Sequence, residues 1–180
     1  SLSMDKAMAK TVLAQEGLPQ APWRLITRRE WEQDPEAITA WVDQAFGFPC
    51  FVKPSNMGSS VGISKVKSAE GLAAALDTAF AFDRKAVIEA GVPAPREIEC
   101  AVLGNDEPAA SVPGEVIPSR EFYDYEAKYL DSGSQTIIPA DLDPAIVVRV
   151  QSLAIQAFKA IDGAGMARVD FLLSRTTGAL

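Results

Sequence analysis

The 180-residue chain contains no histidine. Imidazole bases and histidine-ligated metals are therefore excluded within it, and proton transfer or charge stabilisation falls to Lys, Arg, Tyr, Ser or carboxylates. Cysteine is scarce: Cys50 and Cys100 stand far apart with no CxxC spacing. That pattern points to two buried thiols rather than a disulfide or metal site, and fits a reducing cytoplasm. Positive charge is in deficit, with 17 Lys+Arg for a net charge of −7, so nucleic-acid binding through a basic surface is not expected. No apolar run approaches a membrane span, no basic-then-apolar leader marks a secretory signal, and there is no repeat or low-complexity tract. What remains is ordinary for a globular protein: 48% hydrophobic, 23% charged, and long enough for one domain or two small ones.

Against that background one stretch stands out, Lys53-Pro54-Ser55-Asn56-Met57-Gly58-Ser59-Ser60-Val61-Gly62. The apolar run Phe48–Val52 before it reads as a strand, and Ile63–Val66 after it alternates like a second one. A lysine at a strand end followed by Gly, Ser and Asn offers a fixed cation, hydroxyls and backbone N–H groups, the donors a polyphosphate needs. The spacing is not that of a Walker loop, and a strand rather than a helix follows. From composition alone an ordinary Gly/Ser-rich hairpin connection is the better reading, and charged residues elsewhere that sit where a nucleotide site would need them are what favour the phosphate loop.

Taken in order, Ser3 caps a helix from Met4 to about Glu16 with a stripe of Met4, Ala7, Met8, Thr11 and Val12, while Asp5 and Lys6 point elsewhere. Trp23–Thr27 reads as a strand, and Asp34-Pro35 opens a helix through Ile38, Trp41, Val42, Ala45 and Phe46. Ser68 caps a helix carrying Leu72, Ala75, Leu76, Ala79 and Phe80, and Lys85–Glu89 is a strand. Two prolines make Val92–Pro95 a hinge between a first domain, 1–95, and a second, 96–180. Beyond it Glu97–Leu103, Ala109–Val112 and Glu115–Ile117 read as strands, Asp143-Pro144 opens a helix ending near Gly163, and Met166–Leu173 is a strand. Glu121–Leu130, with three tyrosines, has neither period and reads as a loop. The pattern is α+β.

In the last strand, Arg168 and Asp170 share a face roughly 6 to 7 Å apart, with Val169, Phe171 and Leu173 on the core side. They make either a structural ion pair or a cation and a carboxylate, the latter of the kind Mg²⁺ takes, set beside one ligand.

Four separated runs, FVKPSNMGSSVGISKV, REIECAVLGN, SREFYDYEAKYLD and GMARVDFLL, together with the leading MDKAMAK, resemble the D-alanine–D-alanine ligase family of ATP-grasp enzymes. The resemblance covers essentially the whole chain. It implies two α+β lobes gripping ATP, bacterial cytoplasm, peptidoglycan synthesis for the cell wall, D-alanine as substrate and a homodimeric parent. By motif, Lys6 and Lys53 would hold the α- and β-phosphates. Gly58, Ser59 and Ser60 would cover the phosphates, with Ser59 also near substrate. Glu89 and the backbone through Ala90 to Val92 would face adenine, and Glu97 the ribose, across a spacer one residue longer than usual. Lys128, beside Tyr129, would reach the γ-phosphate. Arg168 would stabilise the tetrahedral oxyanion, and Asp170 would bind Mg²⁺ or Mn²⁺.

The same resemblance implies an N-terminal substrate domain and further metal ligands outside these residues, so the expectation is an ATP-binding fragment inactive by itself. An ATP-grasp ligase with another acceptor such as D-lactate is the neighbouring alternative, against which Tyr129 argues. A non-catalytic nucleotide-binding module is the other.

Overall fold

The computed structural model describes residues 2–118 and 134–180. The tyrosine-rich run, with Lys128 and Tyr129, lies outside the described residues. The chain forms two compact units, one made of the residues through Ala9 with Ala21–Gly91, the other of Lys10–Gln20 with Val92–Leu180. Among the described residues no helix is long and apolar enough to cross a membrane.

The first helix, α1 (Lys6–Gln15), follows a 3-10 turn over Leu2–Met4. It starts later than the sequence pattern suggests because Asp5, not Ser3, caps it: its carboxylate accepts the N–H groups of Ala7 (3.1 Å) and Met8 (3.2 Å). Ala7 is the buried member of the expected stripe, while Met4 and Met8 are exposed. Asp5, expected to point away, is held inward by the Lys85 ammonium and by the Ser55 hydroxyl at 2.5 Å.

Strands β1 (Trp23–Thr27), β2 (Cys50–Pro54), β3 (Ser64–Val66) and β4 (Lys85–Ala90) make an antiparallel sheet in the order β1-β4-β2-β3. The expected hairpin is the β2–β3 pair, with Cys50 opposite Val66. A short helix, α2 (Arg28–Gln33), precedes the one the Asp34-Pro35 signal identified. Its mark is a capping box: Thr27 Oγ1 accepts the Glu30 N–H at 3.2 Å, and Glu30 Oε2 accepts the Thr27 N–H at 2.8 Å. Asp34 then caps α3 (Pro35–Ala45) through the Ala37 N–H at 2.9 Å. Ser68 makes no side-chain cap; it begins a 3-10 turn, Ala69–Gly71, that leads into α4 (Leu72–Phe80). All five apolar residues read for that helix are buried, and they pack with Ile38, Val42, Ile26, Cys50, Val52, Ala86 and Ile88. The helices thus cover the face of the sheet bearing Cys50, Val52 and Ile88. Strand alternation sends Phe51, Lys53, Val87 and Glu89 to the other face.

The second unit is built on β5 (Pro95–Gly104). One edge of it pairs along its whole length with β9 (Gly165–Ser174), from Pro95 opposite Ser174 to Gly104 opposite Gly165. The other edge pairs with β7 (Gly114–Ile117) and the short β6 (Ala109–Ala110), and β8 (Gln135–Ile137) follows on β7. The helix α5 (Pro144–Ala160), capped by Asp143, packs Val150, Ala154 and Phe158 onto Ile98, Cys100, Val102 and Leu173. Arg96 clamps this side, donating to Glu115 from Nε at 2.8 Å and Nη2 at 2.5 Å, and to the Asp141 carbonyl at 2.7 Å. Both cysteines are buried free thiols; burial pushes the Cys50 thiol up to about 11, against a small opposing effect of its own backbone N–H.

Burial by itself would raise the Asp5 pKa, but the Lys85 ammonium, the Ser55 hydroxyl and the Met8 N–H outweigh it and hold the carboxyl at about 2, below its ordinary 3.8. A group so depressed stabilises the fold fully above its unfolded value and loses that contribution as pH falls through its folded value. The melting temperature of the wild-type chain should therefore fall more steeply between pH 4 and 2 than that of Asp5→Asn, the two curves converging at the acid end. Parallel curves across that window would show that Asp5 contributes no pH-dependent stability.

Candidate functional site

Between β2 and β3 the chain makes a tight turn, with the Val61 N–H donating to the Gly58 carbonyl at 3.0 Å. Its central residues, Ser59 and Ser60, have φ of 50° and 61°. Two positive φ values in succession are the type I′ pattern that Asn-Gly normally supplies, and a serine in that region costs on the order of 1–3 kcal/mol. The surroundings hold the turn in place. Asn56 donates its backbone N–H (2.9 Å) and side-chain amide (2.7 Å) to Asp83. At the far end, Gly62 has φ of 71°, and a Cβ there would meet Phe82 at 2.6 Å and Pro54 at 2.8 Å. Gly58 is different: a Cβ would meet nothing within 4 Å, so packing does not demand glycine there.

Two lysines stand at the root of this loop. The Lys6 backbone N–H donates to the Ser55 carbonyl at 2.9 Å, and its ammonium donates to the carbonyls of Pro54 (3.1 Å) and Met57. Burial, and secondly the charge of Lys53, lower the Lys6 pKa, with Glu89, Asp83 and Asp5 opposing. Lys53 forms an ion pair with Glu89, which is buried, and lies 5.7 Å from the Phe51 ring centroid. The Ala90 and Gly91 N–H groups are taken up by the carbonyls of Pro22 (2.9 Å) and Pro49 (3.0 Å), so any backbone contact to a base must come from the remaining groups of residues 89–92. A surface cleft of about 590 Å³ lined by Pro35, Thr39, Phe48 and Ser68 lies on the helix-covered side and holds none of these residues.

In the second unit, alternation on β5 and β9 sends Ile98, Cys100 and Leu173 under α5 and leaves Glu97, Glu99, Arg168 and Asp170 on the opposite face. The ion pair read from the sequence is present: Arg168 Nε donates to Asp170 Oδ1 at 2.7 Å and Nη2 to Oδ2 at 3.0 Å. The guanidinium also meets Glu99 Oε1 at 3.1 Å, a contact the sequence reading missed. Its signal was available, since Glu99 shares the parity of Glu97, but which strand pairs with β5 is not written in either strand. Glu97 lies opposite Leu172 and Val116. The spacer before it holds Ala94 at φ 42°. Among the described residues no group of three or more acidic or cysteine side chains is arranged to hold a metal ion. Mg²⁺ commonly takes one or two carboxylates and completes its shell with phosphates and water, so the exposed hard-oxygen carboxylate of Asp170 fits as one such ligand.

A family profile described as D-ala D-ala ligase C-terminus matches residues 12–180. Among similar proteins are the D-alanine–D-alanine ligases of Heliobacterium modesticaldum, 52% identical over 97% of this chain, and Deinococcus radiodurans, 50% identical over all of it. These alignments take in 48% and 53% of the relatives, so the chain spans about half the length of the curated relatives it matches. Among solved structures, the VanG D-Ala:D-Ser ligase of Enterococcus faecalis superposes with a TM-score of 0.84 at 31% identity, over 98% of this chain and 50% of its own. The D-alanine–D-alanine ligase of Coxiella burnetii gives 0.79 at 34%, over 96% and 44%. The α+β units are therefore those of the ATP-grasp fold, and the chain belongs to the D-alanine–D-alanine ligase family, matching the part described as its C-terminus.

Proposed function

We propose that this chain is the nucleotide-binding portion of a cytoplasmic, homodimeric D-alanine–D-alanine ligase, with lobes at 1–95 and 96–180. The observation that carries the reading is Lys6, which feels the charge of Lys53, at the root of a strained serine turn whose Gly58 packing does not require. Lys53 is already paired with Glu89 and Lys6 with backbone carbonyls, so a phosphate would bind by exchanging those contacts for charge-assisted ones to both lysines. Lys6 and Lys53 hold the α- and β-phosphates, residues 58–60 cover them, Glu89 and the stretch through Val92 face the base, and Glu97 takes the ribose. Lys128, with Tyr129 beside it, serves the γ-phosphate.

In this reaction the γ-phosphoryl group passes to the carboxylate of one D-alanine, giving ADP and D-alanyl phosphate. The amine of a second D-alanine attacks that carbonyl, loses a proton, and the tetrahedral adduct expels phosphate. Phosphoryl transfer is mostly positioning and charge neutralisation, which is what the lysines supply. Arg168 offers a fixed cation where the oxyanion develops, with Ser59 near the substrate. A divalent ion, Mg²⁺ or Mn²⁺, would neutralise phosphate charge, with Asp170 among its ligands. Relatives about half identical to this chain favour D-alanine over D-lactate as acceptor, and ADP-forming turnover of the complete enzyme with each acceptor tests that choice.

Replacing Lys53 by Met in the complete enzyme should raise the KM for ATP roughly ten- to hundredfold, the equivalent of about 1.5–3 kcal/mol for a charge-assisted contact, and leave that for D-alanine near wild type. Because the buried Glu89 would then lose the Lys53 ammonium, the melting temperature should also fall, and adding Glu89→Gln should restore it without restoring ATP affinity. Unchanged ATP kinetics would leave Lys53 a structural residue. The two loop glycines should separate cleanly: Gly62→Ala should destabilise by about 1–3 kcal/mol, whereas Gly58→Ala should leave melting unchanged and weaken ATP binding. Arg168→Met should lower kcat by roughly 10²–10³-fold while the KM for ATP moves little, because the oxyanion exists only near the transition state. A destabilised variant with normal kcat would reduce Arg168 to its ion pairs.

A further inference from the structure

The guanidinium of Arg168 is shared between two carboxylates on adjacent strands. Asp170 takes it through two N–H groups, at 2.7 and 3.0 Å, and Glu99 lies 3.1 Å from Nη2. In the register of β5 and β9, Glu99 stands directly opposite Asp170, and Ala101 stands opposite Arg168. Glu99 is therefore the diagonal neighbour of Arg168, within reach of a long side chain, and the small Ala101 leaves room for the guanidinium to lie over β5. The two acids differ in exposure: the Glu99 side chain is 25% exposed and that of Asp170 59%.

Both oxygens of Asp170 are occupied by Arg168. A divalent ion that takes Asp170 shares oxygens that already accept from Arg168 and repels the guanidinium beside it, and an arginine so loosened has a long flexible stem with much rotamer freedom to regain. We infer that Glu99 is a positioning residue that keeps Arg168 in place when Asp170 turns to a divalent cation. The inference rests on the functional reading of Arg168 and Asp170 given above. Glu99 suits the task because it is the better buried of the two acids and belongs to β5, whose ten register pairs with β9 fix its distance from Arg168. Asp170, more open, is the one placed to exchange partners.

The test is Glu99→Gln in the complete ligase, alone and combined with Arg168→Met, with Asp170→Asn as the reference. kcat, the KM for ATP, melting temperature and Mn²⁺ affinity (free Mn²⁺ by electron paramagnetic resonance in the presence of ATP) are measured for each. With Glu99 neutral, Arg168 leans more heavily on Asp170 and competes harder with the metal. We expect kcat to fall about tenfold and Mn²⁺ to bind several-fold more weakly, the scale of one charge-assisted hydrogen bond. The melting temperature should stay near wild type, and the KM for ATP should rise by no more than the factor by which Mn²⁺ affinity falls. In the Arg168→Met background the same substitution should change neither kcat nor Mn²⁺ affinity further. If Glu99→Gln matches wild type while Asp170→Asn weakens Mn²⁺ binding, this inference fails and the reading of the metal carboxylate stands. If Asp170→Asn leaves Mn²⁺ affinity unchanged, that reading fails and takes the inference with it. A loss of Mn²⁺ affinity that persists without Arg168 would make Glu99 a direct metal ligand and overturn the positioning role.

Discussion

Among the described residues α3 and α4 pack on one face of the first sheet and α5 on one face of the second, and strand alternation then decides where the charged side chains of the strands stand. In β2 the residues with the parity of Cys50 and Val52 enter the core, so Lys53 must face away from the helices. In β5 and β9, Ile98, Cys100 and Leu173 are claimed by α5, and Glu97, Glu99, Arg168 and Asp170 fall on the other side. A slip of one residue in either register would bury the charges and expose the core, so the site is as strongly specified as the core is.

The electrostatics of these faces follow one pattern. Lys6 is met by backbone carbonyls, Lys53 by Glu89, and Arg168 by Asp170 and Glu99. On the function proposed above, a phosphate or oxyanion arriving at these groups would exchange one partner for another, so the net gain would be the difference between two charge-assisted contacts rather than the whole of one. Such pairing keeps the cations fixed in place.

The loop gains its rigidity from residues that carry no assigned chemistry. Asp5 ties the first turn of α1 to Ser55 and Lys85, and Asp83 ties Asn56 to the start of β4. Because Lys6 is the residue after Asp5, the cap that starts the helix also sets the direction of the lysine. Stability of the α1 N-terminus and geometry of the cationic pair therefore depend on the same carboxylate.

By itself the sequence determined the local features whose causes lie within a few residues. The Asp34-Pro35 helix start, the apolar run of α4, the β2–β3 hairpin with its Gly/Ser connection, and the shared face of Arg168 and Asp170 all follow from capping, periodicity and turn chemistry. It also held the four motifs that place the chain in its family. The tertiary structure decided what depends on distant partners. Asp5 rather than Ser3 caps α1 because Ser55 and Lys85, 50 and 80 residues away along the chain, draw the carboxylate inward. Glu89 is paired with Lys53 because β4 lies beside β2, and Glu99 with Arg168 because β9 lies along β5. No local pattern encodes those neighbours; strand pairing is settled by how whole faces bury against helices.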